Sequence, residues 1–172
     1  MASTDDVYNA RLLEIGRLTT TWAKFEHWID QALWALANVH DREGACLTSQ
    51  IGSIHAKFRA LQALMAEAQR PQFIQDEVAS MAGEAARVVL IRNKFAHGPL
   101  DMGIDFDTRK FEIYLRHVGV KSKQLTFESA LLTAEELTIA NQQVISLYQR
   151  LVEQWGAIVG VSRVDLLSPY AP

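Results

Sequence analysis

Apolar residues recur at steps of three and four near the start of the chain, and this pattern constrains the fold more than any other feature. Such spacing places side chains on one face of a helix. It predicts a helix over about residues 5–38, roughly 45 Å long at 1.5 Å per residue, which is long for a small domain. The stripe consists of Tyr8, Leu12, Ile15, Leu18, Trp22, Phe25, Ile29, Leu33 and Leu36.

Two tryptophans, Trp28 and Trp34, lie off this stripe and give the first helix a second apolar surface. Either they face a partner, such as another subunit, or they cover loops of their own chain.

Three later segments show the same helical period, each with a start or stop signal. Ser53 is a good N-cap, and Pro71 suits a first helical position. Thr133 to Glu136 reads "TAEE", a capping box, while Gly98 and Pro99 end the preceding run. The predicted helices cover about 53–69, 71–97 and 133–158.

Between the last two helices the period changes to two. "GIDF", "KFEIYLRHV" and "KQLTFES" alternate apolar and polar residues, which predicts a β-hairpin or small meander over about 104–128. The tail, 160–172, is predicted to be irregular. The expected fold is therefore mainly all-α: one domain of residues 1–172, a four-helix up-and-down bundle with the hairpin inserted before the last helix.

Composition restricts the class of protein. The chain has 172 residues, 17 Lys and Arg against 20 Asp and Glu, and a net charge of −3, which argues against a nucleic-acid-coating protein. The single Cys46 forms no internal disulfide, as suits a reducing cytosol. The first residues lack the apolar run of a secretory signal, and the longest apolar stretch, "ALWALANV", is too short to span a membrane. A cytoplasmic location is expected.

The run "IRNKFAHGPL" gathers Arg92, Asn93 and His97 at the end of a predicted helix. Asn93 and His97 are four apart and share a face, whereas Arg92 and His97 are five apart, about 140° around the axis. The carboxyl end of the helix dipole favours the charged imidazolium. These residues are either a C-terminal cap, which basic side chains often provide, or a chemical pair.

The run "RNKFAHG" resembles the signature of the HEPN superfamily, in which an Arg and a polar residue are followed by a His after four to six positions. The order of helices around the motif is also similar, over most of residues 5–160. HEPN members are mostly all-α dimers whose two motifs meet across the subunit interface. Many are metal-independent endoribonucleases of toxin or host-defence systems, and others are non-catalytic modules.

The resemblance implies that Arg92 and His97 are the catalytic pair and that Asn93 positions them. The chemistry suits these residue types, because RNA cleavage through the 2′-hydroxyl needs a proton shuttle near neutral pH and positive charge on the phosphate. No metal site and no cofactor are expected. Pro99 stands where some toxin members carry a modified Tyr, so that mode of control is not expected.

Glu26 is a further candidate because it lies among apolar residues of the first helix, where an unpaired acid is costly. Either it orients Arg92 or His97, or it occupies an edge position in water or pairs with a lysine elsewhere.

Residues 109–123, within the predicted hairpin, carry five cations and one acid, a net charge of +4. It offers either a surface for an RNA backbone or a charged edge that prevents strand-to-strand aggregation. The cations are Arg109, Lys110, Arg116, Lys121 and Lys123.

The leading functional prediction is a homodimeric, metal-independent endoribonuclease, of toxin or phage-defence type, with RNA as substrate and an antitoxin or other protein as a further partner. The alternative is a non-catalytic HEPN-type module that binds RNA, a nucleotide or a protein. A plain helical bundle with a capped helix is a third reading.

Overall fold

The computed structural model of the chain describes residues 4–97, 100–105, 110–121 and 124–160. The described chain is mainly helical, as predicted. The ranges predicted for the first three helices differ from the observed bounds by at most two residues. The helices are α1 Thr4–Ala37, α2 Asp41–Thr48, α3 Ile54–Glu67, α4 Gln72–His97, α5 Ala134–Glu153 and α6 Trp155–Val159.

The chain falls into two compact units, each with its own buried apolar residues. Unit 1 comprises Met1–Trp22 and Arg87–Val144, and unit 2 comprises Ala23–Ala86 and Ile145–Pro172. Side chains at most 2% exposed in unit 1 include Leu18, Trp22, Val88, Leu137, Ala140 and Val144. Those in unit 2 include Phe25, Ile29, Phe58, Leu61, Met65, Ile74, Val78, Met81, Leu147, Leu151 and Ile158.

The predicted stripe on α1 is buried in its middle part only. Leu18 is 1% exposed and Leu33 is 4% exposed, but Leu12 on the same stripe is 41% exposed. Neighbouring Leu13 is 56% exposed as well. Periodicity identifies the face of the helix, but not how far along it the rest of the chain reaches.

Helix α2 lies where the sequence analysis expects a linker. Its packing against Trp34 explains the difference. The Trp34 Nε1–H donates to Thr48 Oγ1 at 3.2 Å, and that hydroxyl donates to the Gly44 carbonyl at 3.1 Å. Gly44 is buried against the Trp34 ring. Because these contacts come from tertiary structure, the eight residues of α2 carry no strong signal of their own.

Both off-stripe tryptophans contact their own chain. Trp34 is only 8% exposed and is covered by α2. The Trp28 ring meets the Trp155 ring edge to face, with centroids 4.8 Å apart, and the Tyr148 ring at 6.4 Å. Trp34 is therefore covered by its own chain, while contact of Trp28 with a partner stays a prediction.

The segment predicted as one helix over about 133–158 divides into α5 and α6. Gln154 separates them, with φ −87° and ψ 0°. Its N–H still donates to the Arg150 carbonyl at 3.0 Å, and its carbonyl still accepts from Ile158 N–H at 2.9 Å. The apolar spacing continues through this residue, so periodicity alone does not detect the break.

Two predicted helix caps are confirmed by their hydrogen bonds. Ser53 Oγ accepts from the Ala56 N–H at 3.2 Å and opens α3. Thr133 Oγ1 accepts from the Glu136 N–H at 3.1 Å, while Glu136 Oε2 accepts from the Thr133 N–H at 3.2 Å. This reciprocal pair is a capping box at the start of α5.

Replacing Thr133 by alanine is expected to lower the free energy of unfolding by about 1 kcal/mol, because the Glu136 N–H loses its acceptor. Urea unfolding followed by circular dichroism measures the change. Thr138→Ala, at an exposed position within the same helix, is the control and should be neutral or slightly stabilising. Equal effects of the two substitutions would contradict a capping role.

Three antiparallel strands lie between α4 and α5, in the order β1-β2-β3. β2 is central; Leu115 is the register partner of Leu100 in β1 and of Ala130 in β3. The strands are β1 Leu100–Asp105, β2 Lys110–Lys121 and β3 Gln124–Leu132. The predicted irregular tail lies outside the described residues, apart from Gly160.

None of the helices, over the residues described, combines the length and apolarity needed to cross a membrane.

Candidate functional site

Helix α4 ends at His97, the position at which the sequence predicts the helix to stop. The last turns of α4 therefore contain Arg92, Asn93 and His97. Arg92 and His97 are separated by about 7.5 Å along the axis, at 1.5 Å per residue. The His97 side chain and residues 98–99 lie outside the part of the chain that the structure describes.

The amphipathic character of α4 orients this helix end. Val88 and Phe95, seven residues apart on one face, are 0% and 7% exposed. Leu90, Asn93 and Lys94 are exposed, and Leu90 is 64% exposed. The buried pair fixes the rotation of the helix, and the exposed residues on other sides of it are available to a ligand or partner.

Arg92 and Asn93 contact each other directly. The Arg92 guanidinium donates from Nη1 to Asn93 Oδ1 at 3.0 Å. Arg92 is half-buried, and its Nε is buried without a hydrogen-bond partner among the described residues. The sequence analysis places Asn93 on the face of His97; the contact described by the structure is with Arg92. Asn93 thus restrains the guanidinium, and a role in positioning His97 stays a prediction.

Glu26 lies in the part of α1 that belongs to unit 2, whereas Arg92 belongs to unit 1. Glu26 is half-buried, beside the fully buried Phe25. Assistance from Glu26 to the motif stays a prediction.

The cations of the predicted hairpin divide into two groups. Arg109 and Lys123 lie outside the described residues. Lys110, Arg116 and Lys121 lie on β2, with register partners Asp105, Ser129 and Gln124. Binding of an RNA backbone by these residues stays a prediction.

A second basic region, which the sequence analysis missed, lies within α4. The helix carries three acids and no cation over residues 72–84, giving −3, and three cations and no acid over 85–97, giving +3. The signal was present in the sequence but was hidden by the net charge of the whole chain, −3. The acids are Asp76, Glu77 and Glu84, and the cations are Arg87, Arg92 and Lys94.

The cations whose ion pairs the structure describes lie outside this basic region of α4. Arg150 is the strongest example: its Nε and Nη1 each lie 2.7 Å from a carboxylate oxygen, of Glu77 and Glu84 respectively. The hydrogen bonds to Glu77 and Glu84 raise the pKa of the Arg150 guanidinium. This cluster joins α5 to α4 within unit 2, where the cation is shared by two carboxylates.

Over the described ranges, no three His, Cys, Asp or Glu side chains gather as metal ligands. Comparison with protein-family models, curated proteins and solved structures finds no match to the chain.

Proposed function

We propose that the protein is a metal-independent endoribonuclease in which Arg92 and His97 form the catalytic pair. The observation that carries the proposal is the hydrogen bond from Arg92 to Asn93 in the last turns of α4. It restrains a guanidinium five residues before His97, the last residue of α4. The resemblance of "RNKFAHG" to the HEPN signature supplies the reaction class.

The proposed reaction uses the 2′-hydroxyl of RNA as nucleophile. A neutral imidazole removes the 2′ proton, the 2′ oxygen attacks the adjacent phosphorus, and the bond from phosphorus to the 5′ oxygen breaks. An imidazolium protonates the departing 5′ oxygen, so the products are a 2′,3′-cyclic phosphate and a 5′-hydroxyl. The Arg92 fork stabilises the negative charge on the pentacoordinate phosphate.

A homodimer follows from the same chemistry. The attacking and leaving oxygens lie on opposite sides of phosphorus, so one imidazole at each side is the simplest arrangement of base and acid. Two copies of the chain supply two copies of His97.

The proposed fold is a four-helix up-and-down HEPN-like bundle with a β insertion before the last long helix. The proposed enzyme acts in the cytoplasm, as a toxin or in phage defence.

A non-catalytic HEPN-type module that binds RNA, a nucleotide or a protein is the second candidate. The half-buried state of Arg92, with a buried Nε, favours it, because a guanidinium turned partly inward has fewer donors for a scissile phosphate.

One experiment separates the two candidates. Purified protein is incubated with a mixed RNA pool in EDTA, and the fragment ends are identified by mass spectrometry. An endoribonuclease of this class yields cyclic phosphates in EDTA, and sedimentation equilibrium gives a dimer. An inert dimer that still binds RNA or a nucleotide supports the second candidate, and an inert monomer contradicts both.

A further inference from the structure

Arg87 and Lys94 form an unneutralised basic face on α4. They are seven residues apart, so they share one face of the helix and are separated by about 10.5 Å along its axis. Both are exposed, and Leu90 and Asn93 between them are exposed too. Within the described part of the chain, neither Arg87 nor Lys94 makes an ion pair.

The helix dipole accounts for only part of this charge. Cations are favoured in the last turn of a helix, and the effect fades beyond that turn. Lys94 is in the last turn of α4, but Arg87 is ten residues before its end. The dipole therefore favours a cation at Lys94 but not at Arg87.

Some cations elsewhere in the described chain form ion pairs. Lys57 lies 2.8 Å from Asp30 with both side chains largely buried, Arg17 pairs with Glu14, and Arg150 pairs with two glutamates. The final part of α4 has no acid of its own to pair with its cations. Two copies of this face would repel each other, which argues against its use as a contact between identical chains.

We propose that the Arg87–Lys94 face of α4 binds the phosphate backbone of single-stranded RNA and guides it to the helix end. The inference rests on the proposed function for the choice of polyanion, because the face lies on the same helix as Arg92 and His97. It differs from the hairpin surface predicted from sequence in that both cations lie on one face of one helix.

The test measures RNA binding as a function of salt. A labelled single-stranded RNA is titrated with protein, in a His97→Ala background that prevents cleavage, and anisotropy is recorded at several salt concentrations. Losing two phosphate contacts should reduce the slope of log K against log salt by about 1.4, and weaken binding roughly 25-fold near 0.1 M salt. The double variant Arg87→Gln, Lys94→Gln should show both changes.

The control removes the same charge from elsewhere. Lys24→Gln with Arg59→Gln replaces two exposed cations of unit 2 and should leave the slope and affinity unchanged. Equal weakening by both double variants would overturn the proposal, as would an unchanged slope in the first. Displacement of the RNA by polyglutamate of equal charge, at equal affinity, would assign the face to an acidic protein instead.

This test and the cleavage assay fail independently. A protein that cuts no RNA but loses salt-dependent binding on removal of Arg87 and Lys94 supports the face and contradicts the nuclease. If the wild-type protein cuts RNA and the two double variants bind RNA equally well, only the proposed role of the Arg87–Lys94 face is contradicted.

Discussion

Replacing His97 by alanine is expected to lower the rate of RNA cleavage by about 10²–10⁴-fold, the range that a positioned acid or base contributes. Histidine is the side chain whose ordinary pKa suits proton transfer near neutral pH, and His97 is the histidine of α4. The measurement is the single-turnover rate on a labelled RNA in EDTA, with circular dichroism to verify that α4 and the rest of the fold remain.

The matched control is His55→Ala, which removes an exposed histidine from α3 and should leave the rate unchanged. Arg92→Lys tests the guanidinium separately, since it keeps the charge but removes the planar fork, and should also lose most of the activity. Asn93→Ala frees Arg92 from its hydrogen bond and should reduce the rate less than either. Wild-type activity in His97→Ala would end the catalytic assignment.

Gly44→Ala is expected to lower the free energy of unfolding by about 1–3 kcal/mol, the usual cost of an overfilled site. A Cβ at residue 44 would lie 2.6 Å from Cδ1 and Cδ2 of the Trp34 ring. The ring must move, and the hydrogen bond from its Nε1 to Thr48 is strained or lost. The sign is opposite to the usual gain from alanine within a helix.

Gly83→Ala is the matched control, because it introduces the same methyl group into α4 with no atom within 4 Å. It should stabilise the protein by roughly 0.5–1 kcal/mol, since alanine favours the helix. Urea unfolding followed by tryptophan fluorescence measures both variants. If Gly44→Ala is neutral or stabilising, the close contact between α2 and Trp34 is contradicted.

The long helices could be predicted because their stability comes from amphipathic faces that are visible in sequence. Ser53 and the Thr133–Glu136 box act through hydrogen bonds to residues within three positions, so local sequence was sufficient for both. Helix α2 depends instead on Trp34, fourteen residues from Thr48, which no local pattern reveals. The exposure of Leu12 likewise depends on which other parts of the chain pack along α1, and not on α1 itself.

The position of the candidate residues along α4 could be predicted from the sequence, but the hydrogen bond between two of them could not. Gly98 and Pro99 in the sequence predict a helix end at this point, and His97 is the last residue of α4. The hydrogen bond between adjacent Arg92 and Asn93 was not foreseen, because helical spacing associates residues three or four apart and adjacent side chains diverge. The charge of +3 at the end of α4 is offset by acids elsewhere in the net charge of −3, so it is visible only when this helix is taken by itself.

Cys46 is exposed on α2, the helix that packs against Trp34, and it is the only cysteine in the sequence. Any oxidised cross-link must therefore join two molecules at that surface. In a sizing experiment such a covalent pair would look like a reversible dimer, but it would not be evidence for association through the end of α4. Samples kept in reductant therefore report reversible association alone. A thiol-reactive dye attached to Cys46 would report movement of α2 relative to the indole of Trp34.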